Sequence, residues 1–131
     1  MSRPRILLAE DDDDLRAELA ELLAREGMDV VQATTGDESL SILARGGIDL
    51  VITDVMMPSP VGVQVAAMAR TAGENVPILV ITGHDERWIH EIVERICCAD
   101  LLLKPFSTET LLDRIRVLLS RCASGQGAAP G

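Results

Sequence analysis

Apolar residues in this chain fall into two kinds of grouping, short unbroken runs and stripes at helical spacing, and the two alternate regularly. Ile6-Leu7-Leu8-Ala9 is a continuous run that stops abruptly at acids, after which Leu15, Leu19, Leu22 and Leu23 recur at helical spacing. A run that is apolar at every position suits a strand buried on both faces. The stripe after it suits an amphipathic helix, with aspartates ahead of it for capping and Gly27 behind it for termination. Residues 28–33 read as a second strand. Residues 36–45 read as a helix with Asp37 and Glu38 in its first turn, where acids suit the helix dipole, and Gly46 just past its end.

Leu50-Val51-Ile52-Thr53 is the next buried run and again ends in an acid, Asp54. Beyond a proline-containing loop, residues 62–72 carry Val65, Met68 and Ala69 at helical spacing, and Ser59-Pro60 fits an N-cap followed by a first-turn proline. Ile78-Leu79-Val80-Ile81 ends in Thr82, and Trp88, Ile89, Ile92, Val93 and Ile96 form another helical stripe. Leu101-Leu102-Leu103 runs into Lys104-Pro105, and a last helix from about Ser107 places Leu111, Leu112, Ile115, Leu118 and Leu119 on one face. Five strands thus alternate with five helices, which predicts an α/β fold: a parallel sheet covered by helices on both sides. Residues 1–122 are expected to form one domain, and the small and polar residues 123–131 a flexible tail.

Composition narrows the functional classes. A length of 131 residues with 47% apolar content suits one domain with a substantial core, and that core must be aliphatic because Trp88 and Phe106 are the sole aromatics. A formal charge of −9 disfavours direct contact with nucleic acid or with an anionic membrane surface. Neither a membrane span nor a signal peptide is legible, so the expected location is the cytoplasm. There the three cysteines, including the adjacent Cys97 and Cys98, are expected to be reduced, packed thiols.

The chemistry gathers where the buried runs end. In a doubly wound sheet, ligands bind beyond the carboxyl ends of the strands. Glu10 and Asp11, Asp54, Thr82 and Lys104 occupy such ends on four different strands. Three carboxylates drawn together raise one another's proton affinity unless a cation neutralises them, and Mg²⁺ accepts a few carboxylates while keeping waters. Lys104 adds an ammonium and Thr82 a hydroxyl, so an aspartate nucleophile in this setting suits phosphoryl transfer. Taken singly, Thr82 reads as an ordinary strand end, Lys104 as a surface lysine, and Asp13 and Asp14 as a solvated helix start. Their joint placement is what carries meaning. His84 and His90 are expected on an exposed helix side.

Four segments make a resemblance explicit: Leu8-Ala9-Glu10-Asp11-Asp12, Thr53-Asp54-Val55-Met56-Met57-Pro58, Ile81-Thr82-Gly83 and Lys104-Pro105-Phe106. Together they resemble bacterial response-regulator receiver domains, in the same order and with comparable spacing, from about residue 5 to residue 121. The resemblance implies a flavodoxin-like, three-layer α/β/α fold with five parallel strands in the order 2-1-3-4-5. It implies Asp54 as phospho-acceptor, Asp11 as direct Mg²⁺ ligand, Glu10 binding the ion through water, and the Met56 carbonyl as a further ligand. Thr82 would be the switch hydroxyl, Lys104 the phosphate-binding lysine, and the bond before Pro105 would be cis. The donor would be a phosphohistidine on a sensor histidine kinase or a histidine phosphotransfer protein. The output would be a change in the surface of the fourth helix, fifth strand and fifth helix that a downstream protein reads, with phosphorylation-dependent pairing of two copies left open.

Two departures stand out. The usual aromatic three positions before the lysine is replaced by Leu101, which puts the customary hydroxyl–aromatic coupling in question and makes packing of Leu101 against the Trp88 helix its replacement. The loop Met57-Pro58-Ser59-Pro60-Val61-Gly62 has Ser59 and Val61 where many relatives carry glycine and an acid. His84 and Met56 flank the site and are expected to slow loss of the phosphoryl group by limiting where water can stand. The chain is not expected to be an enzyme on separate substrates: a haloacid-dehalogenase-like phosphatase wants a second acid at the position of Met56. A receiver-like module that is never phosphorylated is the other alternative. No output segment is visible in the 131 residues. A stand-alone regulator is therefore expected over a receiver taken from a longer chain.

Overall fold

Each buried run becomes a strand in the computed structural model, which describes residues 3–54, 76–83, 85–95 and 98–128. Strands β1 (Arg5–Ala9), β2 (Asp29–Ala33), β3 (Leu50–Asp54), β4 (Ile78–Thr82) and β5 (Ala99–Leu103) form one sheet in the order β2-β1-β3-β4-β5. All pairs are parallel, and Ala9 of β1 stands level with Ala33 on one side and Thr53 on the other. The described helices are α1 (Asp13–Arg25), α2 (Gly36–Ala44), α3 (Arg87–Arg95) and α4 (Thr108–Ala128). The fold is the α/β fold expected, with the expected strand order. The helix expected over 62–72 and its Ser59-Pro60 cap lie outside the described residues, as do Met56, His84, Ile96 and Cys97.

Strand side chains alternate between two faces, and two separate cores result. Ile6, Leu8, Leu50, Ile52, Leu79, Ile81 and Leu102 pack with Leu19 and Leu23 of α1 and with Leu111, Ile115 and Leu118 of α4. On the opposite face Leu7, Ala9, Ala33, Val51, Ile78 and Val80 pack with Leu43 of α2 and with Ile89 and Val93 of α3. Burying each such Leu or Ile contributes roughly 1.5–3 kcal/mol, so the central strands are rigid supports for whatever follows them.

Local signals fix the helix starts. Asp12 caps α1 by accepting from Asp14 N at 3.1 Å and Leu15 N at 3.2 Å. Thr35 caps α2 by accepting from Glu38 N at 3.1 Å, and Glu38 reaches back to Thr34 N at 2.8 Å, a reciprocal capping box displaced by one residue. Gly27 and Gly46 follow the first two helices with φ of +85° and +77°, a conformation that favours glycine. α4 continues to Ala128, so residues 123–128 are helical where a tail was expected. Their backbone bonds propagate from a long helix, and no proline intervenes before Pro130. Trp88 sits at the margin of its stripe: it is 37% exposed, and its indole donates to Glu86 Oε2 at 2.7 Å. His90 is exposed, as expected, and pairs with Asp85 Oδ1 at 2.6 Å.

Candidate functional site at the carboxyl ends of the strands

Glu10 follows β1 directly after its buried run and is itself fully buried. Each of its polar atoms has a partner. Its amide donates to Ala33 O at 3.1 Å, and its carbonyl accepts from Arg16 Nη1 at 2.8 Å. Its Oε2 accepts from Asp12 N at 3.2 Å, and its Oε1 accepts from Lys104 Nζ at 3.0 Å. Asp54, the last residue of β3, is 6% exposed, and its Oδ2 accepts from the same Lys104 Nζ at 2.8 Å. One ammonium therefore joins the ends of β1, β3 and β5.

Asp11 is exposed at the rim, and Glu10, Asp11 and Asp54 each bring a carboxylate oxygen into a group whose members lie within 4.8 Å of one another. Thr82 is fully buried at the end of β4, and its carbonyl accepts from Lys104 N at 2.7 Å. The Lys104–Pro105 bond is cis. Leu101 is level with Val80 in the sheet and packs, partly buried, in the cluster that holds Ile89 and Val93. It therefore touches the core beneath the Trp88 helix. Met56 lies outside the described residues.

The electrostatics follow from this burial. Burial pushes the Glu10 carboxyl above its ordinary range and the charge of Asp54 adds to the rise, while the Asp12 amide and Lys104 oppose it. Burial by itself would pull the Lys104 ammonium down. Hydrogen bonds to Asp54 and Glu10, together with their charges, outweigh it and leave Lys104 above its ordinary range. The lysine is thus held charged against two buried acids. Its single charge leaves the three carboxylates incompletely neutralised.

The donor set suits a hard divalent cation, since all three ligand groups offer oxygen. Their oxygens already lie within 4.8 Å of one another, close enough for one small ion to be shared among them, directly or through the waters that Mg²⁺ keeps. The residues present fit such an ion.

Arg16 was not foreseen. Its guanidinium grips the Glu10 carbonyl from α1. The available signal was its position, a cation early in a helix whose N-terminal end favours acids.

Comparison with known proteins gives a consistent result. A family model described as the response regulator receiver domain matches residues 6–116. Over 128 residues the chain is 38% identical to the response regulator MprA of Mycobacterium sp. strain KMS, covering 94% of this chain and 54% of that protein. The chain spans about half the length of the curated relatives it matches. Among solved structures it is similar to a response regulator receiver protein from Sinorhizobium medicae WSM419, with 30% identity, a TM-score of 0.83, and coverage of 92% of this chain and 98% of that one. It is also similar to the Vibrio cholerae chemotaxis protein CheY4, with 25% identity, a TM-score of 0.82, and coverage of 89% and 99%.

Proposed function

The chain belongs to the response regulator receiver domain family of two-component signalling, and on that footing we propose that Asp54 is its phosphoryl acceptor. The observation that carries this reading is the placement of Asp54 Oδ2 at 2.8 Å from Lys104 Nζ, with Glu10 and Asp11 carboxylates alongside. A carboxylate oxygen of Asp54 attacks the phosphorus of a phosphohistidine, carried by a sensor histidine kinase or a histidine phosphotransfer protein. A P–O bond forms, the P–N bond breaks, and the imidazole keeps the electron pair and takes up a proton. Lys104 pairs with one phosphoryl oxygen, and the Thr82 hydroxyl donates to another.

Mg²⁺ is the cofactor in this proposal. Asp11 and Asp54 would hold it directly and Glu10 through water, with the carbonyl of Met56, a residue outside the described ones, as a further ligand. When bound it supplies positive charge to the phosphoryl oxygens during transfer. The domain changes only itself and is not an enzyme on separate substrates. Phosphorylation shifts a two-state equilibrium and alters the surface of α3, β5 and α4, where Leu101 packs in the same cluster as Ile89 and Val93. A downstream protein reads that surface.

Incubation with Mg²⁺ and acetyl phosphate tests the reading. A mass gain of one phosphoryl group in the wild type, absent in Asp54→Asn and absent without the metal, is the expected result. Continuous release of phosphate with turnover would make the chain an enzyme, and no modification at all would make it an inert binding module.

A further inference from the structure

Arg16 is a cation where helix electrostatics disfavours one, yet it is well ordered by contacts. Its side chain is 15% exposed and uses three donors on three separate acceptors. Nη1 donates to the Glu10 carbonyl at 2.8 Å, Nε to Gln32 Oε1 on β2 at 3.2 Å, and Nη2 to Asp13 Oδ1 at 2.7 Å. The Glu10 carbonyl belongs to the peptide group that leads into Asp11. A peptide group is planar, so fixing its C=O also fixes the N–H of Asp11 and the line along which the chain enters that residue.

We infer that Arg16 is a positioning residue for the acidic site: by clamping the Glu10 carbonyl it aims the Asp11 carboxylate toward the cation. The inference rests on the Mg²⁺ reading above. A simpler role, electrostatic only, has the opposite sign. A guanidinium bonded to the Glu10 carbonyl opposes the approach of a divalent ion to the neighbouring acids, so its charge alone weakens metal binding and its removal would tighten it. As a positioning group, its removal weakens binding even though a repelling charge has gone. Lysine separates the two roles further, because an ammonium keeps the charge but lacks the planar fork that spans these acceptors.

The experiment is a Mg²⁺ titration of the full chain, followed by calorimetry, for the wild type, Arg16→Met, Arg16→Lys, Gln32→Leu and Asp11→Asn. Arg16→Met is expected to bind Mg²⁺ on the order of 10-fold more weakly, at the low end of what losing the partner of a ligand-bearing group costs. Arg16→Lys and Gln32→Leu are expected to weaken binding by less. Hydrogen exchange without metal gives an independent readout: the Asp12 amide, held by Glu10 Oε2, is expected to exchange faster in Arg16→Met. Should Arg16→Met unfold, the exposed Gln32→Leu change, which releases the Nε anchor and leaves the charge in place, carries the test. Mg²⁺ binding by Arg16→Met, or by Gln32→Leu in its place, that equals or exceeds the wild type would overturn the inference. Wild type and Asp11→Asn binding Mg²⁺ alike would instead sink the metal reading, and this inference with it.

Discussion

Lys104 Nζ stands 2.8 Å from Asp54 Oδ2 and 3.0 Å from Glu10 Oε1, so one ammonium is shared by two buried carboxylates. Replacing it by methionine leaves both acids facing each other without that cation. Stability of the metal-free domain is expected to fall by about 2 kcal/mol. That is below the roughly 3–5 kcal/mol for a fully buried pair, because the lysine side chain is 25% exposed. Urea unfolding with and without Mg²⁺ checks this. The ion is expected to stabilise Lys104→Met more than the wild type, and equal stabilisation would mean that lysine and metal do not share the same carboxylates.

Glu10 gives stability a pH dependence of definite sign. Its folded pKa lies above the ordinary 4.5 because of burial, so the folded state takes up its proton at a higher pH than the unfolded state. The cost of the buried charge is present above the folded pKa and is relieved as pH falls through it toward the unfolded value. Glu10→Gln removes that titration. Its stability relative to the wild type is therefore expected to be more favourable near neutral pH than near pH 5, measured by denaturant unfolding at both. Lys104, whose pKa is raised above 10.5, adds stability that is complete below that value and is lost as pH rises through the folded pKa. A pH-independent difference for Glu10→Gln would contradict the first assignment.

Cys98 adopts φ of +61° immediately before β5, and its carbonyl accepts from Ile78 N at 2.9 Å. The left-handed region costs an L-residue roughly 1–2 kcal/mol, a cost that glycine avoids. Cys98→Gly keeps the carbonyl contact, and after the added freedom of the unfolded chain it is expected to raise stability by about 0.5–1 kcal/mol. A lower thermal midpoint in the variant would show that packing of the cysteine outweighs the backbone conformation.

Arg114 Nη1 reaches both Asp100 Oδ2 at 3.0 Å and the Leu101 carbonyl at 3.1 Å on the flank of β5. Both side chains are about 40% exposed, so the ion pair itself is expected to contribute less than about 1 kcal/mol. Asp100→Asn also preserves the Oδ1 that accepts from Leu101 N and is expected to be nearly neutral in urea unfolding. Arg114→Ala loses the bond to the strand as well and is expected to cost more. The reverse ranking would contradict this assignment.

Most of the architecture was legible because strands buried on both faces leave unbroken apolar runs, and the residue that ends each run is fixed by the chain itself. Glu10, Asp54, Thr82 and Lys104 were found in that way. Contacts between groups remote in sequence were less legible: no local pattern announces that Lys104 reaches Glu10 as well as Asp54, or that Arg16 turns back to a main-chain carbonyl. The end of α4 was hidden for a different reason. Gly125 and Gly127 are poor helix formers, yet the helix passes through both. The left-handed turn at Cys98 carried no glycine to mark it.

With its amide, carbonyl and both carboxylate oxygens all bonded, Glu10 loses its rotational freedom when the chain folds, before any ion or phosphoryl donor arrives. Immobilising a long acidic side chain costs up to about 2 kcal/mol, and at this position that loss falls on folding instead of on ligation. Among the described acids of the site, Asp11 at the rim is the one whose carboxylate is left to settle on an incoming ion, from a main chain that Arg16 already holds. The domain is built as a fixed floor with one adjustable wall, ready to act at the moment of encounter.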